Sequence, residues 1–186
     1  PVLPGPHQVE NAGIALAALR HLGHGEAVCA AALAQARWPA RMQRLREGPL
    51  PALLPQGELW LDGGHNPHAA QAMAATLAER RDGRPVHLVF GMQGPRDAAA
   101  TLAPFAGIAD GLTAVPVPGE AASREPSELA GAARALGIDA REAADVDEAL
   151  SGIARAAPSA RVLIFGSLYL AGAVLARQRS GSPPAG

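Results

Sequence analysis

The chain reads as an α/β protein: a Rossmann-like, mostly parallel sheet flanked by helices, preceded by two further helices. Three observations predict this. Short apolar runs alternate with helix-length segments of about ten to fifteen residues, the pattern left by βαβ crossovers. The 186 residues suit one α/β domain plus an appendage, with ample length for a core. The third is the stretch Leu59-Trp60-Leu61-Asp62-Gly63-Gly64-His65-Asn66-Pro67-His68. It opens as a buried strand, ends in a carboxylate, turns through two glycines and places a proline at the first position of a helix. Such strand–loop–helix units put polar side chains at the carboxyl edge of a parallel sheet, where α/β proteins bind ligands.

The elements follow in order. Residues 7–36 read as two helices, because Ala12, Leu16 and Leu19 recur at helical spacing, Leu22-Gly23-His24-Gly25 breaks the pattern, and Glu26 to Gln35 resumes it. Residues 37–57 are rich in Pro and Arg and are expected to form an interdomain linker and hinge, open to proteolysis near Arg44 or Arg46. The main domain is expected over 58–179. Its strands are Leu59 to Asp62, Val86 to Gly91, Leu112 to Val117 and Val162 to Phe165, with the less apolar Asp139 to Ala143 as a fifth candidate. Its helices are Pro67 to Arg81, Arg96 to Phe105, Pro126 to Leu136, Val146 to Ala156 and Leu168 to Arg177. The small-residue tail 180–186 is expected to be disordered.

Composition narrows the function classes. Hydrophobic residues make up 48% and the net charge is -1, which suggests neither a nucleic-acid surface nor a disordered chain. All 16 basic residues are arginine, a bias attributable to the source genome's base composition. The single cysteine, Cys29, lies in an Ala-rich run and reads as a small helix residue with no disulfide partner. No apolar stretch reaches the roughly 18 residues of a membrane span, so no membrane partner and a cytoplasmic setting are expected. His65 and His68 lack further ligands at suitable spacing, so no metal site is expected in this chain.

Five segments, in order along nearly the whole chain, carry a resemblance to one family. Asp62-Gly63-Gly64-His65-Asn66-Pro67 resembles the motif after the first strand of the C-terminal domain in folylpolyglutamate synthase/dihydrofolate synthase, a Mur-ligase relative that joins glutamate to a folate with ATP. His7-Gln8-Val9-Glu10-Asn11-Ala12 resembles the sequence opening the last helix of that family's central ATP-binding domain. Trp38-Pro39-Ala40-Arg41-Met42-Gln43 is similar to its Trp-Pro-Gly-Arg-x-(Gln/Glu) linker, with Ala40 standing where the motif has glycine. Phe90-Gly91-Met92 with Arg96-Asp97 resembles a Gly-Met…Lys-Asp element, with arginine for lysine. Phe165-Gly166-Ser167-Leu168-Tyr169-Leu170 is similar to the closing Phe-Gly-Ser strand end.

The resemblance implies site residues. Asn11 corresponds to an asparagine facing adenine, where an amide offers both donor and acceptor; alternatively it caps or turns a helix start. Arg41 corresponds to a linker arginine that reaches ATP phosphate, against a solvated charge among Arg37, Arg44 and Arg46. Asp62 corresponds to a strand-end aspartate associated with the ATP ribose or the linker arginine, against a turn cap. Both Arg41 and Asp62 are expected to be solvated without ligand, so Asp62→Ala is expected to spare the melting temperature. His65 and Asn66 are the catalytic candidates: they approach the γ-phosphate and glutamate when domains close, or hold the Asp62 loop by hydrogen bonds. Ser167 either binds glutamate or forms a tight βα turn.

The implied reaction is ATP-dependent addition of L-glutamate to a folate or dihydropteroate carboxylate through an acyl phosphate, with Mg2+ bridging the phosphates. Domain closure excludes water, which would otherwise hydrolyse that intermediate. The phosphate-cradling Gly-x-x-x-x-Gly-Lys-(Ser/Thr) loop does not occur, and a chain without lysine cannot supply its charge. The chain therefore looks like the C-terminal third of such an enzyme. It is expected to fold but to be inactive without the ATPase part that carries the metal ligands, and the intact enzyme is expected to be a monomer. Two alternatives remain: the C-terminal domain of a cell-wall Mur amino-acid ligase, and a non-catalytic nucleotide-binding domain, which would need a Gly-x-Gly-x-x-Gly turn that Asp62-Gly63-Gly64-His65 does not supply.

Overall fold

The computed structural model describes Gly5 and residues 7–180. The tail beyond Ser180 and the side chain of His7 lie outside the described residues. Helices α1 (His7–His21) and α2 (Glu26–Gln35) pack on each other and bury Cys29. They leave Val9, Ile14, Leu22 and Val28 largely exposed. The sheet comprises β1 (Gln43–Leu45), β2 (Glu58–Leu61), β3 (Val86–Phe90), β4 (Gly111–Ala114), β5 (Ala140–Glu142) and β6 (Arg161–Phe165). The remaining helices are α3 (Pro49–Ala52), α4 (Pro67–Glu79), α5 (Ala98–Leu102), α6 (Pro126–Ala135), α7 (Val146–Ala156) and α8 (Leu168–Ser180).

The six strands lie in the order β1-β2-β6-β3-β4-β5. All neighbours run parallel except β1, which pairs antiparallel with β2 through Gln43↔Leu61 and Leu45↔Leu59. The last strand, β6, returns to the middle and inserts between β2 and β3. That reversal of strand order places a topological switch at the carboxyl ends of β2, β6 and β3.

The period-two alternation of strand side chains divides the core into two layers. Trp60, Leu88, Phe90, Leu163 and Phe165 face α4, α5 and α6, with Phe165 stacked between Phe90 and Phe105 at 4.9 Å from each. Leu59, Leu61, Val89, Val162 and Ile164 face α3, α7 and α8. Both faces are covered, so apart from Glu58, His87 and Arg161 near their amino ends these strands are apolar.

An ion network closes the opposite, amino end of the sheet. Arg161, only 4% exposed, opens β6 and is tolerated there because every side of its guanidinium is paired. It contacts Glu58 at 2.8 Å, Asp82 at 3.0 Å and the Arg80 carbonyl. Burial opposes ionisation of Glu58, but hydrogen bonds from Arg161 and Trp60 and the charges of Arg161 and Arg44 prevail and hold its carboxyl below the usual range. The Trp60 ring is flanked by Arg44 and Arg80, at 5.9 and 5.1 Å from the ring centroid.

Several boundaries differ from the sequence-based expectation. Residues 37–57 are not an uninterrupted linker: β1 is an edge strand of the sheet, and the turn of α3 packs on α8. Gln178 of α8 secures that segment, accepting from Leu50 N–H at 3.0 Å and donating to the Glu47 carbonyl at 2.9 Å. Strand β4 stops at Ala114 although Val115 and Val117 are buried, because the chain leaves the sheet there while still crossing the core. The expected helix over 96–105 is shorter: Asp97 caps α5, and a 3-10 turn, Ala103–Phe105, completes it around Pro104. Ser180 belongs to α8 rather than to the tail.

These differences take Arg44 out of the two expected cleavage sites and leave Arg46, which is exposed in the stretch after β1. Arg44 sits in β1 and pairs with Glu58 at 2.8 Å, whereas Arg37 is exposed in the irregular stretch between α2 and β1. Limited trypsin digestion of this region is expected to cut after Arg37 before Arg44, as peptide mass mapping would show.

Candidate active site

The carboxyl edge is assembled from the loops that follow β2, β6, β3 and β4. After Leu61 the chain reaches Asp62, whose side chain is held inside the turn; the residue is 2% exposed. Asp62 Oδ2 accepts from Met42 N–H and Oδ1 from Gly64 N–H, both at 2.7 Å. Gly63 N–H donates to the Ala40 carbonyl at 2.8 Å, and Ala40 N–H donates to Gln43 Oε1 at 2.9 Å. Together these bonds clamp the lead-in to β1 onto the turn after β2.

The clamp holds backbone that would not otherwise persist. Ala40 and Met42 both adopt left-handed conformations, at φ 54° and 41°, each unfavourable by roughly 1–2 kcal/mol for a residue with a Cβ. Such strain survives only where surrounding bonds over-determine it, and it concentrates at functional sites. The residue between them is Arg41, half-buried at the sheet edge. The left-handed φ also explains why the related linker motif carries glycine at the position of Ala40.

The Asp62 loop then passes to His65 and Asn66. His65 Nδ1 lies 3.1 Å from the Gly63 carbonyl. A carbonyl can only accept, so the neutral ring carries its proton on Nδ1 and keeps Nε2 as acceptor. Asn66 is the N-cap of α4: its Oδ1 accepts from Ala69 N–H at 2.9 Å, with Pro67 in the first helical turn. Gly64 is closely packed: a Cβ there would stand 2.8 Å from the flexible tip of Met73 and 3.0 Å from both Ala69 Cβ and Asp62 Oδ1, so these neighbours would have to give way. Its carbonyl accepts from Gly166 N–H at 3.0 Å, joining this loop to the end of β6.

Gly166, at φ 112°, turns the chain from β6 into α8 and is followed by Ser167, which is 3% exposed. Ser167 Oγ accepts from Tyr169 N–H at 3.1 Å and Leu170 N–H at 3.4 Å, and donates to Gln93 Oε1 at 3.0 Å. Gln93 belongs to the loop after β3. That loop is bonded to the loop after β4, with Gly94 N–H on the Ala122 carbonyl and Arg124 N–H on the Met92 carbonyl, both at 2.9 Å. Arg96 donates to the Gln93 carbonyl at 3.2 Å, and Arg124 donates to the Arg96 carbonyl while pairing with Glu128. Arg96, Asp97, Arg124 and Glu128 line a shallow hollow beside Gln93.

Arg41 and Asp62 are thus brought to one turn, with His65 and Asn66 on the same loop and Ser167 on the adjoining strand end. The side-chain bond of Asn11 is local: its Nδ2 donates to Gln8 Oε1 one turn earlier on α1, at 3.3 Å. The expected solvation of Asp62 is corrected, because backbone amides surround a carboxylate that the sequence alone places at an open strand end. Gln93 and Arg124 were not among the sequence candidates. Gln93 lies between the Gly91-Met92 and Arg96-Asp97 elements, and only tertiary placement connects it to Ser167.

A second hollow runs along β5 and α7 on the far flank, lined by His87, Arg141, Glu142, Glu148 and Arg155 among others. Burial pushes the His87 imidazole down, partly offset by Asp110 and Asp139. It carries mixed charge and lies against β4, β5 and α7, away from the loops that follow β2, β6 and β3. Among the described residues no group of three or more His, Cys, Asp or Glu side chains could hold a metal ion, and no helix is long and apolar enough to cross a membrane.

A mostly parallel sheet with helices on both faces, a strand-order reversal and arginines at its carboxyl edge is the architecture in which α/β domains commonly take ligands at the strand ends. Residues 40–168 match the family described as Mur ligase, glutamate ligase domain. The chain belongs to that family. It is 34% identical, over 90% of its length, to a probable bifunctional folylpolyglutamate synthase/dihydropteroate synthase of Halobacterium salinarum. It is 30% identical, over 76% of its length, to the folylpolyglutamate synthase of Lacticaseibacillus casei. It spans 20% and 30% of those two relatives.

Among solved structures, folylpolyglutamate synthase of Mycobacterium tuberculosis, complexed with ADP and AMPPCP, matches with a TM-score of 0.77 and 29% identity, over 98% of this chain and 42% of that one. A bifunctional folylpolyglutamate synthase/dihydrofolate synthase with Mn, AMPPNP and L-glutamate bound matches at 0.76 and 30%, over 95% of this chain and 40% of that one. The mostly parallel sheet with flanking helices is the fold these relatives share.

Proposed function

We propose that this chain is the glutamate-ligase domain of an ATP-dependent enzyme that adds L-glutamate to a folate or dihydropteroate carboxylate through an acyl phosphate, in the cytoplasm. One observation carries the reading: Asp62, Gly63 and Gln43 hold Arg41 between two left-handed residues at the edge where such ligands bind. A guanidinium carried on backbone fixed in that way is suited to a phosphate oxyanion, and the point from which it reaches out is set before ligand arrives. Asp62 acts by holding the Arg41 turn, His65 offers Nε2 to a proton donor on a bound substrate, and Asn66 keeps the amino end of α4 in register beside them. Closure of this edge against the ATPase domain, together with Asn11, would exclude water from the acyl phosphate.

ATP is the phosphoryl donor on this reading. Magnesium is implied too, but the described residues offer no ligand set for it, so no step here is assigned to the ion. The intact enzyme is proposed to act as a monomer. A second reading, a cell-wall Mur amino-acid ligase, is favoured by 39% identity over 97 residues to the Corynebacterium efficiens UDP-N-acetylmuramoyl-L-alanyl-D-glutamate--2,6-diaminopimelate ligase, over 52% of this chain.

The test is ADP release by the full-length protein that carries this sequence. Release that requires L-glutamate together with dihydropteroate or tetrahydrofolate, and a product heavier by one glutamate, is the expected result. Release that requires a UDP-muramoyl peptide and a diamino acid would establish the second reading, and no amino-acid-dependent release would overturn both. The 186-residue chain alone is expected to give none.

A further inference from the structure

The geometry points to Gln93 as the residue that binds a carboxylate oxygen of the amino-acid substrate, with Ser167 aiming its side chain. This rests on the ligase reading above and goes further by transferring the contact from Ser167 to a residue on another loop. A serine hydroxyl has one hydrogen and two lone pairs. Both lone pairs of Ser167 are taken by the N–H groups of Tyr169 and Leu170, and its hydrogen goes to Gln93 Oε1. The hydroxyl has nothing left for a ligand.

The same count fixes the orientation of the Gln93 amide. Flipping it would set its NH2 group against a hydroxyl oxygen whose lone pairs are already used. Oε1 therefore faces Ser167, and Nε2 carries two N–H donors away from it. Gln93 is only 9% exposed, and among the described residues Nε2 has no acceptor. Buried donors without partners are uncommon and unfavourable, and an arriving oxygen would satisfy this one.

Position identifies which oxygen. Gln93 follows β3 and faces the turn after β6, while Arg41 and Asp62 stand at β2, on the other side of β6. Two strand spacings separate them, about 10 Å. Gln93 is thus displaced from the residues proposed to meet nucleotide phosphate, toward the hollow beside Arg96. An uncharged amide with two donors suits a carboxylate oxygen there.

The decisive variant is Gln93→Glu, studied in the full-length protein by steady-state kinetics. It keeps the side-chain length and an oxygen to accept from Ser167, but replaces the donors with an anion. The KM for L-glutamate is expected to rise roughly ten- to a hundredfold, with the KM for ATP unchanged. Gln93→Met, which removes donors without adding charge, is expected to raise the same KM and guards against misfolding of the first variant. Wild-type KM for glutamate in Gln93→Glu would overturn the assignment and leave Gln93 as a brace for Ser167. A rise in the KM for ATP alone would assign the amide to phosphate and also overturn it. Failure of the ligase reading is a separate result: wild-type protein releasing no ADP in response to any amino acid.

Discussion

Gly166→Ala is expected to destabilise the chain by roughly 2–6 kcal/mol. A φ of 112° lies where residues with a Cβ are strained, which accounts for about 1–3 kcal/mol. An added Cβ would also stand 2.5 Å from the Gly91 carbonyl oxygen and 2.7 Å from Phe90 Cε2, and overpacking of that kind accounts for about another 1–3 kcal/mol. Neither neighbour can move freely, because Gly91 N–H is bonded to the Phe165 carbonyl and Phe90 packs against Phe165 at 4.9 Å. Urea unfolding would read the effect directly. Gly172→Ala is the control: it lies in the exposed interior of α8 with nothing near its Cβ position, so it is expected to stabilise by about 0.5–1 kcal/mol. Equal midpoints for the Gly166 variant and the parent would show that the turn between β6 and α8 is not set by this close approach.

Asp62→Ala is expected to lower stability and turnover together. Removing the carboxylate strands the amides of Met42 and Gly64, at about 1–3 kcal/mol for each buried donor left unpaired. It also frees Ala40 and Met42 to relax from their left-handed conformations, so Arg41 loses its fixed place. Turnover of the full-length protein, measured well below the variant's Tm, is expected to fall on the order of ten- to a hundredfold. Asp62→Asn retains one acceptor and should lie between the two. A variant that melts with the parent would contradict the clamp, and one that melts early yet works normally would show that Arg41 needs no clamp.

On stability, though not on turnover, that prediction reverses the one made from sequence. Asp-Gly-Gly-His-Asn-Pro identifies a strand end, a turn and a helix start, and each is present. It does not reveal that the turn is covered by residues 40–42, because the covering chain arrives through β1. The three residues of β1, Gln-Arg-Leu, carry little strand propensity and lie in a Pro- and Arg-rich stretch; pairing with β2 and the Arg44–Glu58 contact hold them. The parallel strands were legible because burial on both faces leaves near-continuous apolar runs in β3 and β6. Their order was not legible, since nothing local records that β6 inserts between β2 and β3. The Ser167–Gln93 bond spans 74 residues and depends on that insertion. Motif reading therefore finds Ser167 and passes over the residue it orients. For Asn66 and His65 the structure displays the loop-holding bonds that sequence reasoning set beside a catalytic role.

On the reading proposed above, the carboxyl edge of β2, β6 and β3 is the working surface of an ATP-dependent amino-acid ligase. Hydrogen–deuterium exchange on the full-length protein, with and without a non-hydrolysable ATP analogue plus L-glutamate, tests it most directly. Protection is expected in the segments spanning residues 40–43, 62–66, 91–97 and 166–170, with exchange along β5 and α7 unchanged. Protection confined to the flank around His87 and Arg141, with the strand-end loops exchanging as in the free protein, would contradict it.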